Sequence, residues 1–283
     1  MKQRLMTRNF LLLILGQASS LFGNYILRLA LSMYVLEVTG SAAVFAGILS
    51  VAVIPTILLS PFGGILADRA NRRNIMVALD ALTGLSVLCT ALLLKENNAV
   101  GAIGILLVIL SILGAFETPT VQACVPQMLT SNEIIKGNAL INQVASISYL
   151  IAPMLGGILY TALGLKPVML ASILCFFVTA FLECFIKLDY QKAVSGENIG
   201  SVIKKDISVS IRFLTKEQTG ILKMLFLAAI SRFFVMGLTI VGLPYLVRNV
   251  LGLSPGYYGA AESALAVATI AGSIGADCVW ISV

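Results

Sequence analysis

The sequence Gly63-Gly64-Ile65-Leu66-Ala67-Asp68-Arg69-Ala70-Asn71-Arg72-Arg73 interrupts a chain that is otherwise mostly hydrocarbon. Two glycines end one apolar run, four charged side chains follow within six residues, and the next apolar run starts at Ile75. An abrupt polar break between two long apolar runs is typical of a hairpin between membrane-spanning helices. We therefore predict a compact, basic hairpin at one surface of a membrane.

The composition supports a membrane protein. Hydrophobic residues make up 59% and charged residues 11% of the 283 residues, compared with about 45–50% and about 25% in soluble domains. The apolar runs do not alternate with the period of barrel strands, and a helix satisfies its own backbone in lipid. We predict an all-α polytopic protein with spans near residues 10–36, 43–65, 74–94, 99–126, 138–162, 167–187, 220–246 and 257–280.

The positive charges predict the orientation of these spans. Of the 19 lysines and arginines, Lys95, Lys166 and Arg248 fall on one side, Arg28 and Arg232 lie within spans, and the remaining 14 share the side of the N-terminus. Basic residues concentrate in cytoplasmic loops. We expect a multi-pass protein of the inner or plasma membrane with a cytoplasmic N-terminus. The net charge of +6 then reflects topology, and no nucleic-acid partner is expected.

Polar and charged residues inside the spans are candidate substrate or proton sites. An arginine within a membrane costs about 2.5–3.5 kcal/mol on insertion scales, so it normally faces a cavity or a partner. Two interpretations of Arg28 stay open: it faces a cavity, or it reaches the outer interface near Glu37. The candidates are Asn24, Arg28, Asp80, Glu117, Arg232 and Glu262.

Asp80 and Glu117 are candidate proton carriers. The chain contains no histidine, which leaves carboxylates as the side chains suited to binding and releasing protons. The alternative for Asp80 is a structural pair with Arg72 or Arg73. The alternative for Glu117 is a static ion pair with Arg28.

The segment Ala152-Pro153-Met154-Leu155-Gly156-Gly157 lies in the fifth predicted helix. Ala139, Ser148 and Ala152 are small residues 14, 5 and 1 positions before Pro153. Small residues along one face allow two membrane helices to approach closely. We expect this face to pack tightly against a neighbouring helix. A compatible functional interpretation is that the helix bends here at an interface that moves during transport.

Residues 188–219 are polar and basic, in contrast to the spans. They separate a predicted six-helix bundle at residues 1–187 from residues 220–283. Apolar residues recur every three or four positions within this segment, which predicts an amphipathic helix on the inner membrane surface. These residues are Ile199, Ile203, Ile207, Ile211 and Leu214.

A weak internal repeat relates the two ends of the chain. Tyr34, Gly47 and Gly63 recur as Tyr245, Gly259 and Gly275 at offsets of 211 or 212 residues. This predicts that residues 220–283 form the first two helices of a second bundle. Transporters built from two six-helix halves are known, and on that plan four further helices are expected beyond the given sequence.

The hairpin resembles the loop 2–3 signature of the major facilitator superfamily, G-x-x-x-D-R-x-x-R-R. The matching residues are Gly64, Asp68, Arg69, Arg72 and Arg73. The fifth helix resembles the antiporter signature of the family's exporters at Pro153, Gly156 and Gly157, with Ala152 in place of a glycine. The segments Asn9–Gln17 and Glu37–Ser41 resemble the macrolide-efflux and siderophore-exporter branch.

This resemblance implies a secondary exporter of a small amphipathic, drug- or macrolide-like compound, exchanging it for protons as it alternates between inward-open and outward-open states. Asp68 and Arg72 would be gating charges, and the Pro153 segment would be a flexible face. The alternatives are a siderophore or lysophospholipid exporter and a non-transporting fragment of such a transporter. An enzyme, a cofactor or a metal site is not expected, since the sequence shows no nucleophile elbow, Walker loop or metal-ligand cluster.

Overall fold

A computed structural model describes residues 6–188, 209, 212–265 and 267–268 of the chain. Those residues form helices joined by short connections, and none of them lies in a strand. Seven helices are long and apolar enough to cross a membrane. They are α1 (Arg8–Thr39), α2 (Ala42–Arg69), α3 (Arg72–Leu93), α4 (Ala99–Met128), α5 (Ser131–Leu163), α6 (Leu165–Cys184) and α7 (Thr219–Val250).

An eighth helical segment, α8, covers residues 255–265. Most of the eighth predicted span lies outside the described residues. The same holds for most of the predicted amphipathic helix, including its apolar residues up to Ile211. Helix α7 contains two π-helical turns, Leu238–Gly242 and Leu246–Val250. The all-helical, membrane-spanning fold class predicted from composition is confirmed.

Short polar residues set the ends of the first helices. Thr7 accepts a hydrogen bond from the backbone N–H of Phe10 at the start of α1. Gly40, with a φ of 59°, ends the same helix in the left-handed conformation, which glycine adopts without a Cβ clash. Ser41 then caps α2 through the N–H of Val44, and such caps satisfy backbone donors that a helix start leaves free.

The hairpin between α2 and α3 is shorter than its sequence predicts. Helix α2 continues to Arg69 and α3 begins at Arg72, whereas the predicted spans end near residue 65 and restart near residue 74. A Cβ on Gly63 would lie 2.5 Å from the carbonyl oxygen of Ala115 and 2.9 Å from Pro119 Cγ. Gly63 is therefore a close contact between α2 and α4 rather than a helix stop.

Helix α1 lies inside the bundle and positions the site. It packs along α5 and α6, while α2 packs along α4, and α3 packs against both α4 and α6. Fully buried Leu27, Leu31 and Met33 belong to one apolar cluster, and Phe10 and Leu13 to a second cluster nearer the start of α1. Most of α2 and most of α7 remain exposed to the surroundings, as lipid-facing helices are, whereas Pro244 and Val247 near the end of α7 are buried.

Candidate functional site: a central polar cavity and a buried carboxyl cluster

A cavity of about 490 Å³ lies between α1, α2, α4 and α5. Its wall combines aliphatic side chains with hydroxyl, amide and charged groups, which is unusual inside an apolar bundle. Ligand sites typically occupy about 300–1,000 Å³ and carry a few placed polar groups. Polar lining residues include Gln17, Ser20, Asn24, Arg28, Glu117 and Asn142.

Arg28 faces this cavity. Its Nε donates a hydrogen bond of 2.6 Å to Asn24 Oδ1, one turn earlier on α1. No salt bridge joins Arg28 to Glu117 or to Glu37 within the described part of the chain. Arg28 therefore lines the cavity rather than pairing with Glu37, and the static Arg28–Glu117 pair is not formed. Arg28 is left accessible to a ligand.

Glu117 of α4 is half-buried in the cavity wall. Its Oε1 lies 3.4 Å from Ser20 Oγ, and Arg28 lies within range of a Coulomb interaction with it. A carboxylate and a guanidinium thus face one space without forming a direct pair. That arrangement can bind a polar group of a substrate on either charge.

Asp80 of α3 lies behind the cavity wall and is 2% exposed. Ser20 Oγ donates a 2.8 Å hydrogen bond to Asp80 Oδ1. The predicted pair between Asp80 and Arg72 or Arg73 is not formed, because both guanidinium groups extend to the ends of other helices. Ser20 is therefore the residue that connects Asp80 to the cavity.

The two hairpin arginines bind main-chain carbonyls near helix C-termini. Arg72 Nε donates to the carbonyl of Ala67 at 2.7 Å, and its Nη1 donates to that of Ala123 at 2.9 Å. Arg73 donates to the carbonyls of Glu183 and Cys184 at the end of α6. A cation near a helix C-terminus is favoured by the helix dipole. The hairpin thus ties together the same ends of α2, α4 and α6; the Asp68 side chain lies outside the described atoms.

The predicted small-residue face of α5 contacts two helices. A Cβ on Gly156 would lie 3.2 Å from Ile26 Cα, and one on Gly157 would lie 2.6 Å from the carbonyl oxygen of Pro255. On the α8 side, Gly259 packs against the backbone of Pro153. These contacts belong to the glycines after Pro153, not to the small residues before it on which the prediction rests. Ala152 is fully buried, whereas Ala139 is exposed.

Arg232 of α7 and Glu262 of α8 lie near the cavity's tyrosines. Tyr25 and Tyr149 form an edge-to-face pair with centroids 5.4 Å apart. Tyr149 lies within electrostatic range of both Arg232 and Glu262, and Tyr258 lies within hydrogen-bonding reach of Glu262. Of the six predicted polar candidates, Asn24, Arg28 and Glu117 line the cavity, Asp80 lies behind it, and these two lie beyond its tyrosines.

Sequence reasoning missed Glu183. This residue occupies the last turn of α6 and is fully buried, and its carboxyl lies within hydrogen-bonding reach of Asp80. The signal was present in the sequence, because Glu183 is an acid within an apolar run like the other candidates. Its position near the end of the run resembles an interfacial residue, which is why it did not stand out.

The opposite ends of the helices are joined by a second polar group. Tyr160 of α5 donates a 2.8 Å hydrogen bond to Glu37 Oε2, and Arg248 of α7 approaches the same oxygen at 3.7 Å. Asn249 also donates to the carbonyl of Gly40. We call Glu37, Tyr160 and Arg248 the outer tie. It links α1 and α5 to the end of α7, on the side away from the hairpin arginines.

The fold and cavity define a polytopic helical membrane transporter. The chain belongs to the Major Facilitator Superfamily, whose model matches residues 13–282.

Two curated relatives match the chain over part of their length. The chain is 32% identical over 161 residues to "Macrolide efflux protein A" of Streptococcus pyogenes, covering 56% of this chain and 40% of that protein. It is 30% identical over 196 residues to "Multidrug resistance protein MdtG" of an Escherichia coli O17:K52:H18 strain, covering 65% and 47%. The chain therefore spans less than half the length of these curated relatives.

A solved structure shows the same fold. The crystal structure of a D-xylose–proton symporter superimposes with a TM-score of 0.67 at 13% identity, over 91% of this chain and 65% of that one. At this identity the likeness concerns the fold alone.

Proposed function

We propose that this protein takes part in secondary active efflux of a small amphipathic compound, of drug or macrolide type, in exchange for protons. The observation that carries the proposal is the central cavity, where Arg28 and Glu117 face a common space between aliphatic walls. An amphipathic molecule matches such a wall, since its apolar part contacts the aliphatic side chains and its polar part meets the charges. The names of the partly matching relatives support export of this class.

Glu117 is the group we assign to proton exchange at the cavity. It is the carboxyl that lines the cavity and also contacts Ser20. A ligand that draws on the charged carboxylate competes with the proton that neutralises it. Substrate binding and proton binding therefore exclude each other at one group, which is the requirement of an antiporter.

We also propose that the hairpin side of the bundle is cytoplasmic. The basic residues of the hairpin and of residues 188–219 share this side, as the positive-inside rule requires. The proposed division is a six-helix unit at residues 1–187, a connecting segment at 188–219 and the start of a second unit at 220–283. In this orientation the outer tie lies at the external ends of the helices.

The proposal is tested by transport into inside-out membrane vesicles from cells that make the protein. An interior made acidic should drive accumulation of radiolabelled erythromycin or ethidium, and nigericin should abolish it. Glu117→Gln should reduce accumulation to background. The matched control is Glu133→Gln, because Glu133 forms a surface pair with Lys136 at 3.2 Å and lies outside the cavity. Vesicles whose accumulation is the same with and without the pH gradient contradict the proposal.

A lysophospholipid is the second candidate substrate, favoured by an apolar groove between α2 and α4. The groove has a volume of about 570 Å³ and is lined by aliphatic residues and glycines of residues 44–51 and 100–109. A Cβ at Gly101 would meet nothing within 4 Å, so Gly101→Leu should fill the groove without strain. If a lipid is exported, this variant lowers uptake of a fluorescent lysophospholipid and leaves erythromycin uptake unchanged; equal lysophospholipid uptake by both proteins excludes this candidate.

A further inference from the structure

Two acidic side chains meet inside the bundle, away from the cavity. Asp80 of α3 is 2% exposed and Glu183 of α6 is fully buried, and neither lines the cavity. Their carboxyl groups lie within hydrogen-bonding reach of each other. A hydrogen bond between two carboxyl groups needs one O–H to donate, so this contact requires a bound proton.

Apart from the Ser20 hydroxyl on Asp80 Oδ1, the described residues donate no hydrogen bond to this pair. Asp80 Oδ2 and both Glu183 carboxyl oxygens are buried without a donor from the described residues, and Gln17 Nε2 is buried without an acceptor. Two adjacent carboxylates in a dry interior do not both stay charged without a cation. Unpartnered buried oxygens therefore point to a ligand, and a proton is the smallest one that satisfies them.

Among the described residues, the charged groups nearby do not form an ion pair with these two acids. On α3 itself, Arg73 donates to main-chain carbonyls at the end of α6. On α6, the Cys184 thiol is the neighbouring titratable group, and on α4 Glu117 adds a further acid. Arg28 of α1 acts on Glu117 from the cavity side. Within the described residues, no group of three metal-ligating side chains is arranged to hold a metal ion.

Ser20 connects this pair to the cavity. Its hydroxyl donates to Asp80 Oδ1 at 2.8 Å and lies 3.4 Å from Glu117 Oε1. A hydroxyl has one hydrogen to donate and lone pairs to accept another. Ser20 can therefore accept a proton from one acid while it donates its own to the other.

We propose that Asp80 and Glu183 form an internal proton-binding pair that exchanges protons with Glu117 through Ser20, on a route that leads away from the substrate cavity. A proton leaves Glu117 Oε1 for Ser20 Oγ, while the hydroxyl hydrogen of Ser20 moves to Asp80 Oδ1. Rotation of the hydroxyl restores the starting serine. Asp80 passes the proton to Glu183, which releases it to water at the end of α6 where Arg73 binds. The route rests on the proposed proton exchange at Glu117.

The geometry allows loss of the proton route to be distinguished from general damage to the substrate site. Substrate meets the cavity face of Glu117, whereas the proton leaves on the other side, through α1, α3 and α6. Loss of Glu183 should therefore remove coupling to the gradient but preserve substrate binding. Ser19 gives a matched control for Ser20, because its hydroxyl donates instead to the carbonyl of Cys175 at 3.0 Å.

The transport test uses the full chain in vesicles and compares two modes. With an acidic interior, Ser20→Ala and Glu183→Gln should lose erythromycin accumulation to background, whereas Ser19→Ala retains it. At equal pH, Glu183→Gln and Ser19→Ala should retain exchange of labelled for unlabelled erythromycin, which shows that these variants fold and bind. Gradient-driven accumulation by Ser20→Ala and Glu183→Gln overturns the route. If the wild-type protein shows no gradient-driven accumulation, the proposed function itself is contradicted.

The second test does not depend on transport. Infrared spectra of the purified full chain at neutral pH should contain a protonated-carboxyl band, which weakens in the double variant Asp80→Asn, Glu183→Gln. The band should be unchanged in Glu133→Gln and unchanged on addition of sodium chloride. A double variant with the wild-type band overturns the proton pair, and so does removal of the band by sodium, which indicates a bound cation instead.

Discussion

Gly259 and Gly47 offer a direct test of the packing between α5 and α8. The two glycines correspond in the internal repeat, yet their surroundings differ. A Cβ on Gly259 would meet the Pro153 carbonyl group and lie 3.1 Å from Met154 Cα, whereas one on Gly47 would meet nothing within 4 Å. The neighbours of Gly259 are backbone atoms, which cannot rotate away as a flexible side chain can.

The expected magnitude follows from this difference. Replacing a helical glycine by alanine gains about 1 kcal/mol of intrinsic helix stability, and this gain applies equally to both sites. Overpacking a tight contact costs about 1–3 kcal/mol. Gly259→Ala should therefore be about 1–3 kcal/mol less favourable for the packed state than Gly47→Ala, with α8 displaced from α5.

A disulfide cross-link measures that displacement. Ser263 Oγ donates to the carbonyl of Leu150 at 2.5 Å, so Leu150→Cys and Ser263→Cys should react in a background without the five native cysteines. We expect cross-linking to persist with Gly47→Ala and to fall about 5- to 150-fold in rate with Gly259→Ala, as 1–3 kcal/mol implies. Equal rates in the two variants would refute this account of the contact.

Two further variants test the ends of the bundle. The lysine of Arg72→Lys cannot reach both the Ala67 and Ala123 carbonyls with one planar group, so this variant should lower the stability of the protein in detergent by about 1–2 kcal/mol. The control Lys136→Gln, at an exposed position, should stay within about 0.5 kcal/mol of wild type. If Arg72→Lys is as stable as this control, the Arg72 contacts do not hold the helix ends together. Tyr160→Phe removes the donor to Glu37, and a hydrogen bond to a charged group contributes about 1.5–3 kcal/mol. The rate at which maleimide labels Asn24→Cys from the external side should therefore rise in this variant. An unchanged labelling rate means that the outer tie does not hold that side closed.

The sequence predicts the spans well where an apolar run coincides with a helix. The prediction is less accurate at the start of α5, which it places near residue 138, whereas the helix begins at Ser131. The first turns of α5 are polar, so they are missed when spans are located by their apolar runs. The local chemistry marks the true start, since Thr130 precedes it and Glu133 lies in the first turn, where acids are favoured.

The meeting of polar side chains could not be predicted in the same way. Membrane helices are apolar on all faces, so periodicity does not show which side of α3 carries Asp80 or which side of α6 carries Glu183. Ser20 looks unremarkable in the sequence, and its bridging role depends on two distances. Likewise Gly63 is a helix stop by composition but a packing contact in three dimensions, because α4 lies against it.

Proton release on substrate binding tests the central claim most directly. Purified wild-type protein in weakly buffered detergent, with a pH-sensitive dye, is mixed with erythromycin. If substrate and proton compete for Glu117, binding releases protons, and Glu117→Gln binds erythromycin without releasing them. Binding by the wild-type protein with no change in proton concentration, across the pH range in which it transports, would contradict the account.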